Sequence, residues 1–176
     1  TAATLPAYVP LLAAALDACA GAFVNVEIKN NAKSKHYDAE MCIVHGVVEE
    51  LRRRPDARFS VSSFDPATLD EVRRLQPELP TAVLFDRGDP TRQLRDAVRR
   101  GHHAVHPDDL LVDEVFMAQA RQLGLDVNVW TVDDPQRMSE LIGLGVAGII
   151  TNVPDVALLA VRQAFRDGAP GGEYES

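Results

Sequence analysis

Residues 23–29 read FVNVEIK, and polar side chains alternate with apolar ones along this stretch. Successive side chains of a strand point to opposite faces, so Asn25, Glu27 and Lys29 would share one face. Strands of a parallel sheet covered by helices on both sides are usually apolar throughout. A strand with one polar face is instead typical of the inner wall of a parallel barrel near its catalytic end. This stretch therefore favours a barrel.

The rest of the chain repeats one unit, in which a short β-rich run is followed by a longer amphipathic segment. The predicted strands are Phe23–Ile28, Phe59–Phe64, Ala82–Phe85, Ala104–His106, Val127–Val132 and Gly148–Thr151. The predicted helices are Pro6–Ala20, Asp38–Arg54, Pro66–Gln76, Pro90–Arg100, Asp108–Leu123, Pro135–Leu144 and Pro154–Phe165. This alternation predicts parallel strands with right-handed crossovers.

Six such strands fit either a complete doubly wound sheet or an eight-stranded barrel that lacks two strands. A helix precedes the first predicted strand. This favours the barrel, because a chain that starts after the second strand of a (β/α)8 barrel would begin with a helix. We expect an α/β fold, a (β/α)8 TIM barrel that is here partial, with about six of the eight strands. One domain over residues 1–167 and a flexible tail over residues 168–176 complete the prediction.

Composition excludes several classes of protein. The chain has 176 residues, 46% of them hydrophobic and 25% charged, as expected of a globular protein. A net charge of −8 argues against binding to nucleic acid, and no apolar run is long enough to span a membrane. Two cysteines, Cys19 and Cys42, exclude a disulfide scaffold. The chain begins at Thr1 without a signal peptide, so the N-terminus was processed or a segment upstream is absent; the expected location is cytoplasmic.

Three groups of residues are candidates for chemistry. A carboxylate and an ammonium at the end of a strand, Glu27 and Lys29, could hold a divalent cation and a phosphate, or form a surface salt bridge of little energetic value. The aromatic residues Phe64 and Trp130 could line a pocket or fill the core. The histidines near residue 104 lack the spacing of a zinc site, and of these His106 could line a pocket.

Five segments carry a resemblance to a known family. They are VNVEIK (24–29), SVSSFDPATL (60–69), AVHP (104–107), VNVWTVDDP (127–135) and LGVAGIITNVPD (144–155). In this order and spacing they resemble the glycerophosphodiester phosphodiesterases, which fold as (β/α)8 barrels. The resemblance extends from about Leu5 to Phe165.

The resemblance implies hydrolysis of glycerophosphodiesters to an alcohol and sn-glycerol 3-phosphate, with a divalent cation, Mg²⁺ or Ca²⁺. It implies that Glu27 is a metal ligand and that Lys29 faces the substrate phosphate. Phe64 and Trp130 match aromatic residues that line the pocket, and all four would lie at the ends of barrel strands.

The sequence also departs from the family. The H-R-G, E-N, E-x-D and H-D motifs, which supply two acid/base histidines and two more metal carboxylates, are absent. Ala147 and Asn152 stand where the family usually has aspartates. We therefore expect the catalytic residues to be missing, and this chain alone to be weak or inactive. The alternative is a barrel remnant without catalysis that acts as a binding or interaction module. Unpaired barrel edges predict self-association.

Overall fold

The computed structural model describes residue 6 and residues 8–166. The chain forms two compact units that meet in sequence between Thr81 and Ala82. The predicted tail, residues 168–176, lies outside the described residues. In the described part of the chain, no helix is both long and apolar enough to cross a membrane. Cys19 and Cys42 are free and exposed, as expected of a protein that is not a disulfide scaffold.

The first unit contains one pair of strands and three helices. They are α1 (Leu12–Ala18), β1 (Phe23–Glu27), α2 (Cys42–Arg52), β2 (Arg58–Ser63) and α3 (Pro66–Leu75). β1 and β2 are parallel, with Phe23 opposite Arg58 and Glu27 opposite Ser62. α3 packs on both α2 and β2. The fully buried side chains of this core are Ile28, Val44, Val48, Val61, Leu69 and Val72.

The second unit contains four strands in chain order. Its elements are β3 (Thr81–Phe85), α4 (Pro90–Arg100), β4 (Ala104–Pro107), a 3₁₀ turn (Asp109–Leu111), α5 (Glu114–Gln122), β5 (Asp126–Val129), α6 (Pro135–Leu144), β6 (Gly148–Ile149) and α7 (Pro154–Arg166). Each strand pairs in parallel with the next, from β3 to β6. Large side chains that are fully buried in this unit include Leu94, Val105, Met117, Val127, Met138 and Leu141.

Aspartate–proline pairs begin three of the helices. Asp65, Asp89 and Asp134 each accept backbone N–H groups of the first turn, and a proline follows each of them. Proline at this position loses nothing, because its missing N–H would have no partner inside the helix. Gly101 and Gly145 end α4 and α6 in the left-handed conformation that glycine adopts without strain. The bounds of α4 and α6 therefore confirm the predicted helices Pro90–Arg100 and Pro135–Leu144.

Several helix predictions were wrong at their boundaries, and two of these are explained by residues at the start of a helix. α1 begins at Leu12 and not at Pro6, since Pro10 has no N–H and disfavours helical geometry in the residue before it. The predicted helix Asp108–Leu123 is a 3₁₀ turn and a separate helix. The carboxylate of Asp113 accepts the N–H of Phe116 at 2.7 Å and starts the second helix itself.

Candidate active site

The predicted polar face of β1 exists, and it continues onto β2. Asn25 lies opposite Ser60 in the register of the two strands. Ser60 Oγ donates a hydrogen bond to Asn25 Oδ1, and Asn25 Nδ2 donates one to Ser62 Oγ, both at 2.9 Å. These bonds fix the side on which Asn25 points. Glu27 follows two residues later on the same face.

Glu27 and Lys29 approach each other at the end of β1. The distance from Glu27 Oε2 to Lys29 Nζ is 3.8 Å, and the two side chains are 31% and 81% exposed. Ile28, between them, is buried, and its N–H donates to the Ser62 carbonyl at 2.8 Å. An ion pair this open contributes little to folding stability. Both charges are accessible to a ligand.

Ser63 joins the ends of the two strands. Its Oγ donates to the Ile28 carbonyl at 2.7 Å and accepts the N–H of Asp65 at 3.1 Å. The chain between these contacts carries Phe64, whose ring is exposed. Ser63 is itself fully buried, so its hydroxyl holds the exposed aromatic ring close to the end of β1.

A cavity of about 460 Å³ opens at this end of the first unit. It is lined by residues 27–33 and 63–65. Three predicted site residues, Glu27, Lys29 and Phe64, therefore face one cavity, which offers a carboxylate, an ammonium and an aromatic ring. This combination can hold a phosphate ester that has both charged and apolar parts.

The loop that leaves the cavity is anchored by a buried amide. Asn30 is 4% exposed, and its side chain accepts the Asp38 N–H at 2.9 Å and donates to the Asp38 carbonyl at 3.1 Å. Met41 then adopts a left-handed conformation with φ of 56°. This break explains why α2 begins at Cys42 and not at the predicted Asp38. The sequence analysis did not identify Asn30; the adjacent pair of asparagines after a strand was the available signal.

The described residues do not fit a metal ion by themselves. In this part of the chain, no three His, Cys, Asp or Glu side chains come together as a possible ligand set. The neighbouring carboxylate of Asp65 is already engaged, since it accepts the Thr68 N–H at 3.0 Å and the Thr68 hydroxyl at 2.7 Å. A hard divalent cation takes six or more oxygen ligands. Glu27 stays a predicted ligand.

Trp130, in the second unit, lies just beyond β5. Its Nε1 donates to the His106 carbonyl at 2.7 Å, and its own carbonyl accepts the Asp109 N–H at 2.8 Å. The side chain is half-buried. Its polar end therefore has a structural partner, while part of the ring is still available for a ligand contact.

His106 lies deep within the same unit. It is 3% exposed, and Asn128 Nδ2 donates to its Nε2 at 2.9 Å. Among the described residues its Nδ1 has no hydrogen-bond partner. Burial lowers the pKa of His106 to about 4, so the ring is neutral at pH 7. Its neighbour His103 is exposed while His102 is buried, as expected from side chains on opposite faces.

Asp133 connects the loops that follow β5 and β6. It accepts hydrogen bonds from the Thr151 hydroxyl, the Asn152 N–H and the Asn152 amide group, at 2.8, 2.8 and 2.9 Å. The bond from the Asn152 side chain is the main cause that lowers the pKa of Asp133. Asn152, a departure from the family pattern, thus has a structural role in this chain.

Comparison with known proteins gives a consistent result. Residues 2–156 match the sequence model of the glycerophosphoryl diester phosphodiesterase family. A glycerophosphodiester phosphodiesterase of Caldanaerobacter subterraneus subsp. tengcongensis is 26% identical over 80% of this chain and 56% of its own length. The solved structure of a Silicibacter pomeroyi protein assigned to the family superposes with a TM-score of 0.77 and 30% identity, over 88% of this chain and 56% of that one.

A third structure shows the same fold at lower identity. It is an Oleispira antarctica phosphodiesterase in complex with the product sn-glycerol-3-phosphate, with a TM-score of 0.63 and 18% identity over 68% of this chain. The chain spans little more than half the length of the relatives described above. Six parallel strands that alternate with helices, together with these matches, confirm the predicted partial TIM barrel. The chain belongs to the glycerophosphoryl diester phosphodiesterase family.

Proposed function

We propose that the chain takes part in the hydrolysis of glycerophosphodiesters to an alcohol and sn-glycerol 3-phosphate. The observation that carries this proposal is the cavity at the end of β1, where Glu27, Lys29 and Phe64 meet. Relatives named as glycerophosphodiester phosphodiesterases support the reaction class, and the Oleispira enzyme with its bound product supports the substrate class.

Each residue has a distinct part in this proposal. The Lys29 ammonium would neutralise an oxygen of the phosphate, which favours the more highly charged transition state of displacement at phosphorus. The ring of Phe64 would pack on the carbon atoms of the glycerol or of the leaving alcohol. We propose the exposed part of Trp130, in the second unit, as another apolar contact for the substrate.

We propose Glu27 as one ligand of a divalent cation, Mg²⁺ or Ca²⁺, which would neutralise charge on the phosphoryl oxygens. One carboxylate does not retain such an ion without further oxygen ligands, and among the described residues no two other His, Cys, Asp or Glu side chains join Glu27 in a ligand set. In the part of the chain that the structure describes, the cavity lining contains no histidine that could serve as acid or base, and His106 is buried and neutral. The chain alone should therefore be weak or inactive, and the binding module is the alternative function. The cytoplasmic location stays a prediction, which cell fractionation would check.

The test is Glu27→Gln in a protein in which this chain follows the H-R-G and E-x-D strands of a relative. The substitution keeps the shape of the side chain and removes its charge. Loss of one anionic ligand should lower the rate on the order of a hundredfold or more. The assay is release of glycerol 3-phosphate from glycerophosphocholine, with calorimetric titration of Mg²⁺ or Ca²⁺ as an independent readout.

Glu49→Gln is the matched control, because Glu49 is exposed on α2, does not line the cavity and pairs with Arg53 at 2.7 Å. It should leave both activity and metal affinity unchanged. Near-normal activity of Glu27→Gln at limiting metal would refute the role of Glu27. Enzyme-like turnover by the 176-residue chain alone would show that the missing histidines are not needed. A joined protein that binds glycerol 3-phosphate but never hydrolyses the diester would favour the binding module.

A further inference from the structure

All lysines of the chain lie within seven residues. They are Lys29, Lys33 and Lys35, whereas the other 15 of the 18 basic residues are arginines distributed along the chain (18 − 3 = 15). Residues 29–36, here called the lysine loop, contain no acidic residue, although the chain as a whole carries a net charge of −8. The three lysine ammonium groups of an acidic protein thus follow one another closely at the end of β1.

The lysine loop has a defined geometry. The buried Asn30 anchors it at its start through both bonds to Asp38. Asn31 Oδ1 accepts the Lys33 N–H at 2.8 Å, and the Asn31 carbonyl accepts the Ser34 N–H at 2.8 Å. These bonds form a turn that holds the backbone of Lys33 at the cavity. Lys33 is one of the cavity-lining residues, and Lys35 is not.

The charges of the loop differ in how they are compensated. Lys29 has the Glu27 carboxylate at 3.8 Å. Among the described residues, neither Lys33 nor Lys35 forms an ion pair with a carboxylate. The Asp65 carboxylate, which also lines the cavity, is held by Thr68. Among the described residues, Lys33 therefore brings to the cavity a positive charge that is in no direct ion pair, beside the one expected to face the phosphate.

We propose that Lys33 is a second anion-binding group of the site and makes it selective for diesters whose alcohol part carries a carboxylate. This inference rests on the proposed function, in which Lys29 faces the phosphate. A carboxylate on the alcohol, as in glycerophosphoserine, can then approach Lys33, whereas the quaternary ammonium of glycerophosphocholine meets a like charge. Selectivity of this kind combines one attraction with one repulsion.

Binding to the 176-residue chain tests the inference without requiring catalysis. The probes are sn-glycerol 3-phosphate, glycerophosphoserine and glycerophosphocholine, titrated in an NMR experiment. The salt concentration is about 10 mM, at which the Debye length is about 30 Å and charges within the cavity are little screened. The chain should bind glycerophosphoserine about three- to tenfold more tightly than glycerophosphocholine. Lys33→Gln should weaken the binding of glycerophosphoserine about three- to fivefold, as expected of one exposed ion pair. The same substitution should leave the binding of glycerophosphocholine unchanged or make it slightly tighter, because it removes the like charge.

Lys35→Gln is the matched control, since it removes the same charge from the same loop but not from the cavity. It should have little effect on either diester, and Lys33→Arg should retain the preference. If Lys33→Gln and Lys35→Gln weaken the binding of glycerophosphoserine equally, the effect comes from the net charge of the whole loop and the inference is overturned. Equal affinities for the two diesters, with glycerol 3-phosphate still dependent on Lys29, would overturn it and leave the proposed function intact. If no probe binds, or Lys29→Gln has no effect, the proposed function fails and the inference fails with it.

Discussion

Protonation of the buried His106 should destabilise the second unit at acid pH. The pKa of His106 is lowered from 6.5 to about 4 because burial penalises the charged ring. The unfolded chain therefore takes up this proton at a higher pH than the folded chain does. The contribution of His106 to stability is fully present above pH 6.5 and is lost as the pH falls towards 4.

The size of the effect follows from the difference of about 2.5 pKa units. At 1.36 kcal/mol per unit, acidification from pH 7 to pH 4 should remove about 3 kcal/mol of unfolding free energy through this group. The steepest slope should approach about 1.4 kcal/mol per pH unit, near pH 5. This is a large part of the stability of an ordinary domain.

The assay is urea unfolding at a series of pH values, followed by circular dichroism and by the fluorescence of Trp130, the single tryptophan. His106→Gln removes the titrating ring, and its stability should depend on pH less steeply than that of the parent between pH 6.5 and 4. His103→Gln removes an exposed histidine three residues away and should retain the parent slope. If the slopes of the parent and of His106→Gln coincide, the ring is not held neutral by burial and the reasoning fails.

Two further predictions concern packing and assembly. Gly148→Ala should cost about 1–3 kcal/mol of unfolding free energy, because the new Cβ would clash with Asn128 Oδ1 and displace the amide from His106. Gly143→Ala, in α6, is the control, because nothing lies within 4 Å of its new Cβ, and it should be neutral or stabilising. Equal effects at the two sites would contradict the argument. The chain should also self-associate, because among the described residues β1 pairs only with β2 and β6 only with β5, which leaves an edge of each strand unpaired. Sedimentation velocity would detect this, and a monomer at every concentration would refute it.

The sequence predicted the elements well where local chemistry decides them. Asp89-Pro90 at the start of α4 and Gly101 at its end define the helix through groups within one turn of each boundary. The strand ends were less predictable. β5 ends at Val129, although the alternation of side chains continues through Trp130 to Val132. Trp130 still forms an isolated bridge with Asp108, and the Val132 N–H donates to the Ile150 carbonyl at 3.1 Å. Side-chain alternation records which face is buried, and it cannot show where the regular ladder of backbone hydrogen bonds ends.

In the candidate site, too, residues in a regular element could be predicted from the sequence, and residues in a loop were missed. Glu27 and Lys29 could be found from the alternation along one strand and from the family resemblance. Asn30 and Lys33 were not found in this way, because they lie in an irregular loop where no periodicity applies. The role of Asn30 depends on burial and on bonds to Asp38, eight residues away, which only the folded chain brings together.

The lysine loop has a practical consequence for work with this protein. Reagents that couple to primary amines will attach within residues 29–35 or at the chain's amino terminus, because arginine does not react with them. Immobilisation through amines on a sensor surface would therefore anchor the protein at the mouth of its cavity and block the ligand being measured. A protease that cuts only after lysine would have all its sites in this one loop. Protection of the loop from cleavage then becomes a direct measure of cavity occupancy.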